Sequence, residues 1–208
     1  MSQTFWTLER TAQFLGRRAT VRKGAPKGLP ELLFFTDPAR TPDPEAIARQ
    51  LPRGAAIVFR TFGAADAEAR GARLAAIARD RGLKLLIGAD GRLAARLGAD
   101  GVHLPQRLAH RARRLSAANP GWIITAAAHS TLAARRALAA GADAVVVSAA
   151  FVSASPSAGA ALGPVRMAIL VRRAGGPVYG LGGITEKTAR RLKDSGLVGL
   201  AAVAAFRT

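Results

Sequence analysis

The chain has 208 residues, enough for one domain with a sizeable core, and it is 50% hydrophobic with aromatics at only 5%. It has no cysteine, which excludes a disulfide framework and thiolate chemistry, and no apolar run approaches the ~18 residues of a membrane span. The formal charge of +18 comes from 31 Lys and Arg against 13 Asp and Glu and would draw an anionic partner.

The arginines are spread along nearly every predicted helix, as in Arg70, Arg73, Arg79 and Arg81, then Arg111, Arg113 and Arg114, then Arg135 and Arg136. Aromatic residues do not interleave with them as a base-stacking platform requires. The expectation is therefore solvated helix faces and a small polyanionic ligand in preference to nucleic acid. The first residues lack the basic-then-apolar order of a secretory signal, so a cytoplasmic location is expected.

Residues 1–28 are predicted to stand apart as a basic N-terminal arm. A short helix over Thr7–Leu15 precedes Arg17, Arg18, Arg22, Lys23 and Lys27, and Phe5, Trp6 and Phe14 would pack beneath the domain.

From Leu29 short apolar runs alternate with helical stretches. Strands are predicted over Leu32–Thr36, Ala56–Phe59, Leu83–Ile87, Gly101–Leu104, Trp122–Ala127, Ala144–Val147, Val178–Leu181 and Gly199–Val203. The helices between them are placed at Asp43–Gln50, Ala64–Asp80, Gly91–Leu97, Gln106–Ala118, Thr131–Ala140, Pro164–Arg173 and Glu186–Lys193. Asp43 followed by Pro44 is a cap and first-turn pair. A polar stretch from Ser153 to Gly163 precedes the sixth of these helices.

A quasi-repeat marks the helix-to-strand joints: Gly98-Ala99-Asp100-Gly101-Val102, Gly141-Ala142-Asp143-Ala144-Val145 and Gly196-Leu197-Val198-Gly199-Leu200. In each, glycine ends a helix and an apolar run follows. Apolar strands separated by helices pair in parallel with right-handed crossovers. Eight such units in so short a chain predict a single-domain (β/α)8 TIM barrel over residues 29–208 rather than an open sheet. An open doubly wound sheet carries its glycine fingerprint after the first strand, where this chain has Thr36-Asp37-Pro38.

The glycines lie instead in Gly180-Leu181-Gly182-Gly183, ahead of Thr185, which caps the next helix. Bare backbone amides there, backed by a helix N-terminus, suit a phosphate, and barrels commonly hold phosphate after strands seven and eight. The other reading of this stretch is a tight strand-to-helix turn with no ligand.

Six stretches in chain order resemble one family. They are Leu33-Phe34-Phe35-Thr36-Asp37, Gly98–Leu104, Ala128-His129-Ser130, Gly141-Ala142-Asp143, Pro177–Ile184 and Gly199–Val203. The family is thiamine phosphate synthase together with its relative TenI, the thiazole tautomerase, and the resemblance covers residues 29–206. It implies a barrel whose strand C-terminal ends bind a thiazole phosphate. The phosphate then falls on Gly182, Gly183, Val203 and Ala204, where Ala204 replaces the family's serine.

The synthase branch joins thiazole phosphate to a pyrimidine diphosphate with Mg²⁺, which needs carboxylates and cations. The family's second-strand pattern Gln-x-Arg-x-Lys reads Val58-Phe59-Arg60-Thr61-Phe62, keeping Arg60 alone. The Asn-Asp after strand three reads Gly88-Ala89, with Asp90 one place off, and the acidic pair after strand four reads Arg107-Leu108. The serine two places before His129 is Ala127, and the loop after strand six has no lysine. The Mg²⁺ ligands are thus expected to be missing, and no cofactor is predicted.

The tautomerase branch needs a phosphate cradle and a group that moves a proton, and the resemblance puts His129 in that place. An imidazole suits the task; His129 could equally cap the helix that opens at Ser130, or be a buried structural residue. Thr36, Arg60, His103 and Ser153 complete the substrate-facing set, with His103 either pocket-lining or structural. His110 is placed on a solvated face, and three scattered histidines make no zinc site.

Three functions stay open on the residues: a tautomerase-like or weakened synthase enzyme of thiamine biosynthesis, an inactive phosphate-binding or regulatory paralogue, and a basic scaffold for nucleic acid. Monomer and homodimer are both open.

Overall fold

The computed structural model describes residues 3–21, 28–153 and 159–206, the side chains of 3–7 and 19–21 excepted. Expectations for Arg22, Lys23 and Lys27, for positions 154–158 and for the packing of Phe5 and Trp6 lie outside the described residues.

Eight strands close into a parallel barrel in chain order: β1 Leu32–Phe35, β2 Ala56–Phe59, β3 Lys84–Gly88, β4 Gly101–Leu104, β5 Ile123–Ala128, β6 Ala144–Ser148, β7 Val178–Leu181 and β8 Gly199–Ala202. Their near-continuous apolar character follows from burial on both faces. Leu33, Phe35, Val58, Leu86, Val146 and Tyr179 fill the barrel. Their neighbours Phe34, Ile57, Phe59, Leu85, Ile87 and Val147 face the helical layer.

The helices are α1 Gln3–Val21, α2 Pro44–Gln50, α3 Ala67–Arg81, α4 Gly91–Arg96, α5 Ala112–Ala118, α6 Thr131–Ala139, α7 Gly163–Ala174 and α8 Glu186–Arg190. Asp43 caps α2 as expected, accepting the N–H of Ala46 at 2.9 Å. The predicted helix over Gln106–Ala118 divides: Pro105 offers no side-chain cap, and Gln106–Arg111 winds as a 3-10 helix ahead of α5. The quasi-repeat has a further use, because its aspartates pin neighbouring strands. Asp100 accepts the N–H of Leu85 at 2.9 Å and Asp143 that of Ile124 at 2.7 Å.

The N-terminal helix departs most from expectation. Arginine is a good helix former, so the helix continues past Leu15 to Val21. Leu8, Thr11, Ala12 and Leu15 are buried at i, i+3, i+4 and i+7. They set α1 against β8, α8 and the 3-10 turn Ala204–Phe206. Among the described residues no α-helix follows β8, and α1 covers that strand instead. Phe14 stays 39% exposed, with the Arg18 guanidinium over its ring.

Leu8→Ala should therefore destabilise the whole barrel by about 2–5 kcal/mol, as for any fully buried leucine. Urea unfolding checks this, and a loss below about 0.5 kcal/mol would mean that α1 unfolds separately from the barrel.

Candidate phosphate cleft at the barrel rim

At the C-terminal ends of β1, β2, β6, β7 and β8 a cleft of about 280 Å³ opens. Gly182 and Gly183 from β7, Val203 and Ala204 from β8, Ser153 from the loop after β6 and Arg60 from the end of β2 all line it. The two segments singled out for phosphate thus meet on one concave surface.

The glycine loop is built by close packing as well as by bareness. Ala150 and Phe151 donate N–H bonds to the carbonyls of Leu181 and Gly182 at 2.8 and 3.0 Å. This lays the loop after β7 against the loop after β6. Gly183 has φ +62, and a Cβ there would lie 2.3 Å from the Val152 carbonyl oxygen. Glycine is therefore required at that position by conformation and contact together. Among the described residues no hydrogen bond takes up the N–H of Gly182 or Gly183. The helix expected to aim its dipole here is shorter than predicted: α8 has 5 residues, and its first turn is closed by a capping box between Thr185 and Thr188. Any anion would rest on the loop amides, not on a long helix.

Arg60 is fixed before a ligand arrives. Its main-chain N–H donates to the Thr36 hydroxyl at 2.9 Å and its Nε–H to the Thr36 carbonyl at 2.8 Å. The guanidinium lies over the rings of Phe62 and Phe35 at 4.9 and 5.6 Å. It also reaches Asp37 Oδ2 at 3.3 Å, an oxygen that Arg40 holds at 2.7 Å. The Arg40 hydrogen bond leads in keeping the Asp37 carboxyl below its ordinary pKa. Thr36, 3% exposed, orients Arg60 from beneath. Arg40 and Asp37 were not among the sequence candidates; Asp37 belonged to the quoted Thr-Asp pair, but nothing in chain spacing ties it to Arg60.

The histidines separate. His103 is buried in the barrel, its Nδ1 2.9 Å from the Thr125 hydroxyl and its ring edge-on to Phe35 at 4.9 Å. Burial, with Arg60 adding repulsion, lowers its pKa to about 3, so it stays neutral. It does not line the cleft. His129, one residue past β5, is exposed and also stands outside the lining. Gln106 Oε1 accepts its main-chain N–H at 3.0 Å and faces its ring Nδ1 at 3.1 Å. An oxygen already accepting that N–H requires Nδ1 to donate too, which leaves Nε2 as the basic nitrogen of the neutral ring. His110 is exposed, as expected.

The carboxylates nearest this rim have partners within the protein. Asp37 is shared by two guanidinium groups, and Asp90 caps α4 by accepting the Leu93 N–H at 2.9 Å. Among the described residues no three metal-ligating side chains gather.

Comparison with known proteins places these features in context. The family described as "Thiamine monophosphate synthase" matches residues 32–206. The chain is 32% identical over 174 residues to a thiamine-phosphate synthase of Thiobacillus denitrificans, covering 80% of this chain and 82% of that one. It is 31% identical over 173 residues to a thiamine-phosphate synthase of Bacillus velezensis, covering 79% and 77%. Its fold is similar to that of a thiamine phosphate pyrophosphorylase from Pyrococcus furiosus, with TM-score 0.71, 24% identity and coverage of 85% and 86%.

Two outcomes follow from this geometry. Gly183→Ala should cost about 1–3 kcal/mol from backbone strain, with the Val152 contact adding to it; a melting temperature equal to wild type would refute the packing assigned to this loop. His103 gives a pH signature, because its unfolded pKa near 6.5 exceeds the folded value of about 3. The unfolded chain therefore binds the proton first. Its contribution to stability is complete above pH 6.5 and declines as pH falls toward 3, by at most about 1.4 kcal/mol per pH unit. Denaturant titrations from pH 7 to 4 should show that decline in wild type and lose most of it in His103→Asn.

Proposed function

The chain belongs to the thiamine monophosphate synthase family, and from that premise we propose that its rim cleft binds a thiazole phosphate. The phosphate monoester would rest on the amides of Gly182, Gly183, Val203 and Ala204, with Arg60 and Ser153 facing the rest of the ligand. One observation carries this reading: loops after two different strands bring those four residues into the same cleft as Arg60. Membership places the protein in thiamine biosynthesis.

For the chemistry, a proton shift on the thiazole ring suits the residues better than the Mg²⁺-dependent condensation. Condensation must neutralise a departing pyrophosphate, for which the synthase branch uses a metal held by carboxylates, and the rim carboxylates here are engaged elsewhere. A tautomerisation needs an acceptor that takes a proton from one ring position and returns it to another. Nε2 of His129 has that capacity, its partner nitrogen being tied to Gln106. The position of His129 outside the cleft lining favours a second reading, in which the protein binds the thiazole phosphate without turning it over.

Calorimetric titration with thiazole phosphate should show binding in EDTA, weakened at least tenfold in Arg60→Ala. Tautomerase turnover should fall ~10²–10⁴-fold in His129→Ala with binding retained. Turnover unchanged in that variant would remove His129 from the reaction. Absence of turnover in wild type, with binding intact, would establish the second reading, and rapid Mg²⁺-dependent condensation would overturn the preference for proton transfer.

A further inference from the structure

Along the chain the arginines look evenly spread, but the fold sorts them by company. Between Gly101 and Thr185 the sequence has nine arginines and a single carboxylate, Asp143. Asp143 is half-buried and accepts the Ile124 N–H at 2.7 Å. The nine arginines are all exposed, on the 3-10 helix, α5, α6 and α7. Among the described residues none of them enters a salt bridge. The barrel side formed by α2, α3 and α4 differs: carboxylates alternate with its basic residues, and Arg73 pairs with Glu45 and Arg96 with Glu68 at 2.7 and 3.1 Å. On the first side, the start of α5 meets the ends of α6 and α7. Arg113 donates its main-chain N–H to the Ala140 carbonyl at 2.8 Å and Nη2 to the Ala139 carbonyl at 3.0 Å. A Cβ on Gly176, just past α7, would lie 3.0 Å from the Leu138 side chain of α6. Arg114, Arg136, Arg172 and Arg173 therefore share one end of three neighbouring helices. β6 and β7 begin there, so it is the end away from the rim cleft. Helix stability accounts for part of this set: Arg136, Arg172 and Arg173 stand in last turns, where positive charge complements the backbone dipole. Arg113 and Arg114 stand in the first turn of α5, where it opposes the dipole.

We infer that this arginine face docks duplex nucleic acid, held through its phosphate backbone without regard to base sequence. Guanidinium is permanently charged, weakly hydrated and able to grip two phosphate oxygens at once. The exposed neighbours Ala117, Ala118 and Ala139 are small, which leaves the arginines free to reach outward. Three packed helices span roughly 20 Å, more than the ~12 Å width of a major groove, so phosphates on both sides of a groove fall within reach. A single strand would need aromatic stacking, and among the described residues no aromatic side chain of positions 101–185 is exposed. A membrane or an acidic protein would need an apolar anchor beside the charge. The large apolar side chains exposed on these helices, Leu132 and Val165, lie in the first turns of α6 and α7, at the other end. None of the four arginines lines the rim cleft, so this docking is independent of the ligand proposed there.

The test titrates the full chain into labelled DNA and RNA duplexes of about 20 bp, two turns, in two unrelated sequences each, and follows fluorescence anisotropy over a salt series. Binding is expected with Kd about 10⁻⁴–10⁻⁶ M at physiological salt, alike for both sequences and weakening steeply as salt rises. A variant combining Arg114→Gln, Arg136→Gln and Arg172→Gln should bind at least tenfold more weakly, its salt slope reduced by about one for each arginine removed. A control combining Arg49→Gln, Arg79→Gln and Arg81→Gln loses the same charge from α2 and α3 and should stay within about twofold of wild type. Thermal melting verifies that each protein is folded, and Arg136→Gln alone, expected to weaken binding a few-fold, is read beside the combined variant. Equal weakening in the two combined variants overturns the face, since net charge alone would then account for the binding. No duplex binding at physiological salt overturns it as well. So does a single strand, or a vesicle of phosphatidylserine, bound more tightly than either duplex, or a more than tenfold preference between the two sequences.

Discussion

The rim depends on one seam, the pairing of the last strand with the first. Leu33 and Phe34 of β1 lie opposite Ala201 and Ala202 of β8, and the N–H of Leu200 donates to the Glu31 carbonyl at 3.0 Å. The strands can come this close because position 199 is glycine: a Cβ there would lie 2.3 Å from that carbonyl oxygen and 2.8 Å from the Tyr179 ring. Tyr179 crosses the interior to donate its hydroxyl to the Pro30 carbonyl, and burial raises its pKa so that it keeps the proton. With the seam closed, the end of β1 stands beside the end of β8. Arg40 then shares a cleft with Val203 and Ala204, although these residues lie at opposite ends of the chain.

Charge at the rim is arranged vertically. A neutral imidazole, His103, lies buried in the barrel beneath Phe35, whose ring supports the Arg60 guanidinium. Arg60 adds to the burial that keeps His103 unprotonated, so positive charge concentrates at the mouth. Around this lies a surface with net charge +18, which raises the local concentration of anions in general.

Strand positions were legible in the sequence because a parallel barrel buries both faces of every strand, leaving short apolar runs between helices. That the glycine loop and the end of β8 meet was legible for a related reason: in a closed barrel the loops after strands seven and eight are neighbours at one rim. Less was legible where a contact joins distant parts of the chain. Arg18 lies 176 positions from its partner Asp194, and nothing local announces that α1 packs on β8. The tie between Arg40 and Arg60 was not legible because it runs through a shared Asp37 oxygen, which is a matter of side-chain reach, not spacing. His129 lies one residue past β5, and its ring is held by Gln106, 23 positions away, which no local pattern ties to it.

The covering of β8 by α1 also bears on how this molecule comes into being. A ribosome makes α1 well before it makes β8, the strand whose outer face α1 protects. Throughout elongation the apolar stripe of Leu8, Ala12 and Leu15 has no mate, and the nascent sheet has two open margins. Closure and covering both wait for β8, making the slowest contacts those of greatest sequence separation. The interval before β8 emerges is the time when these apolar surfaces are open to association with other unfinished chains.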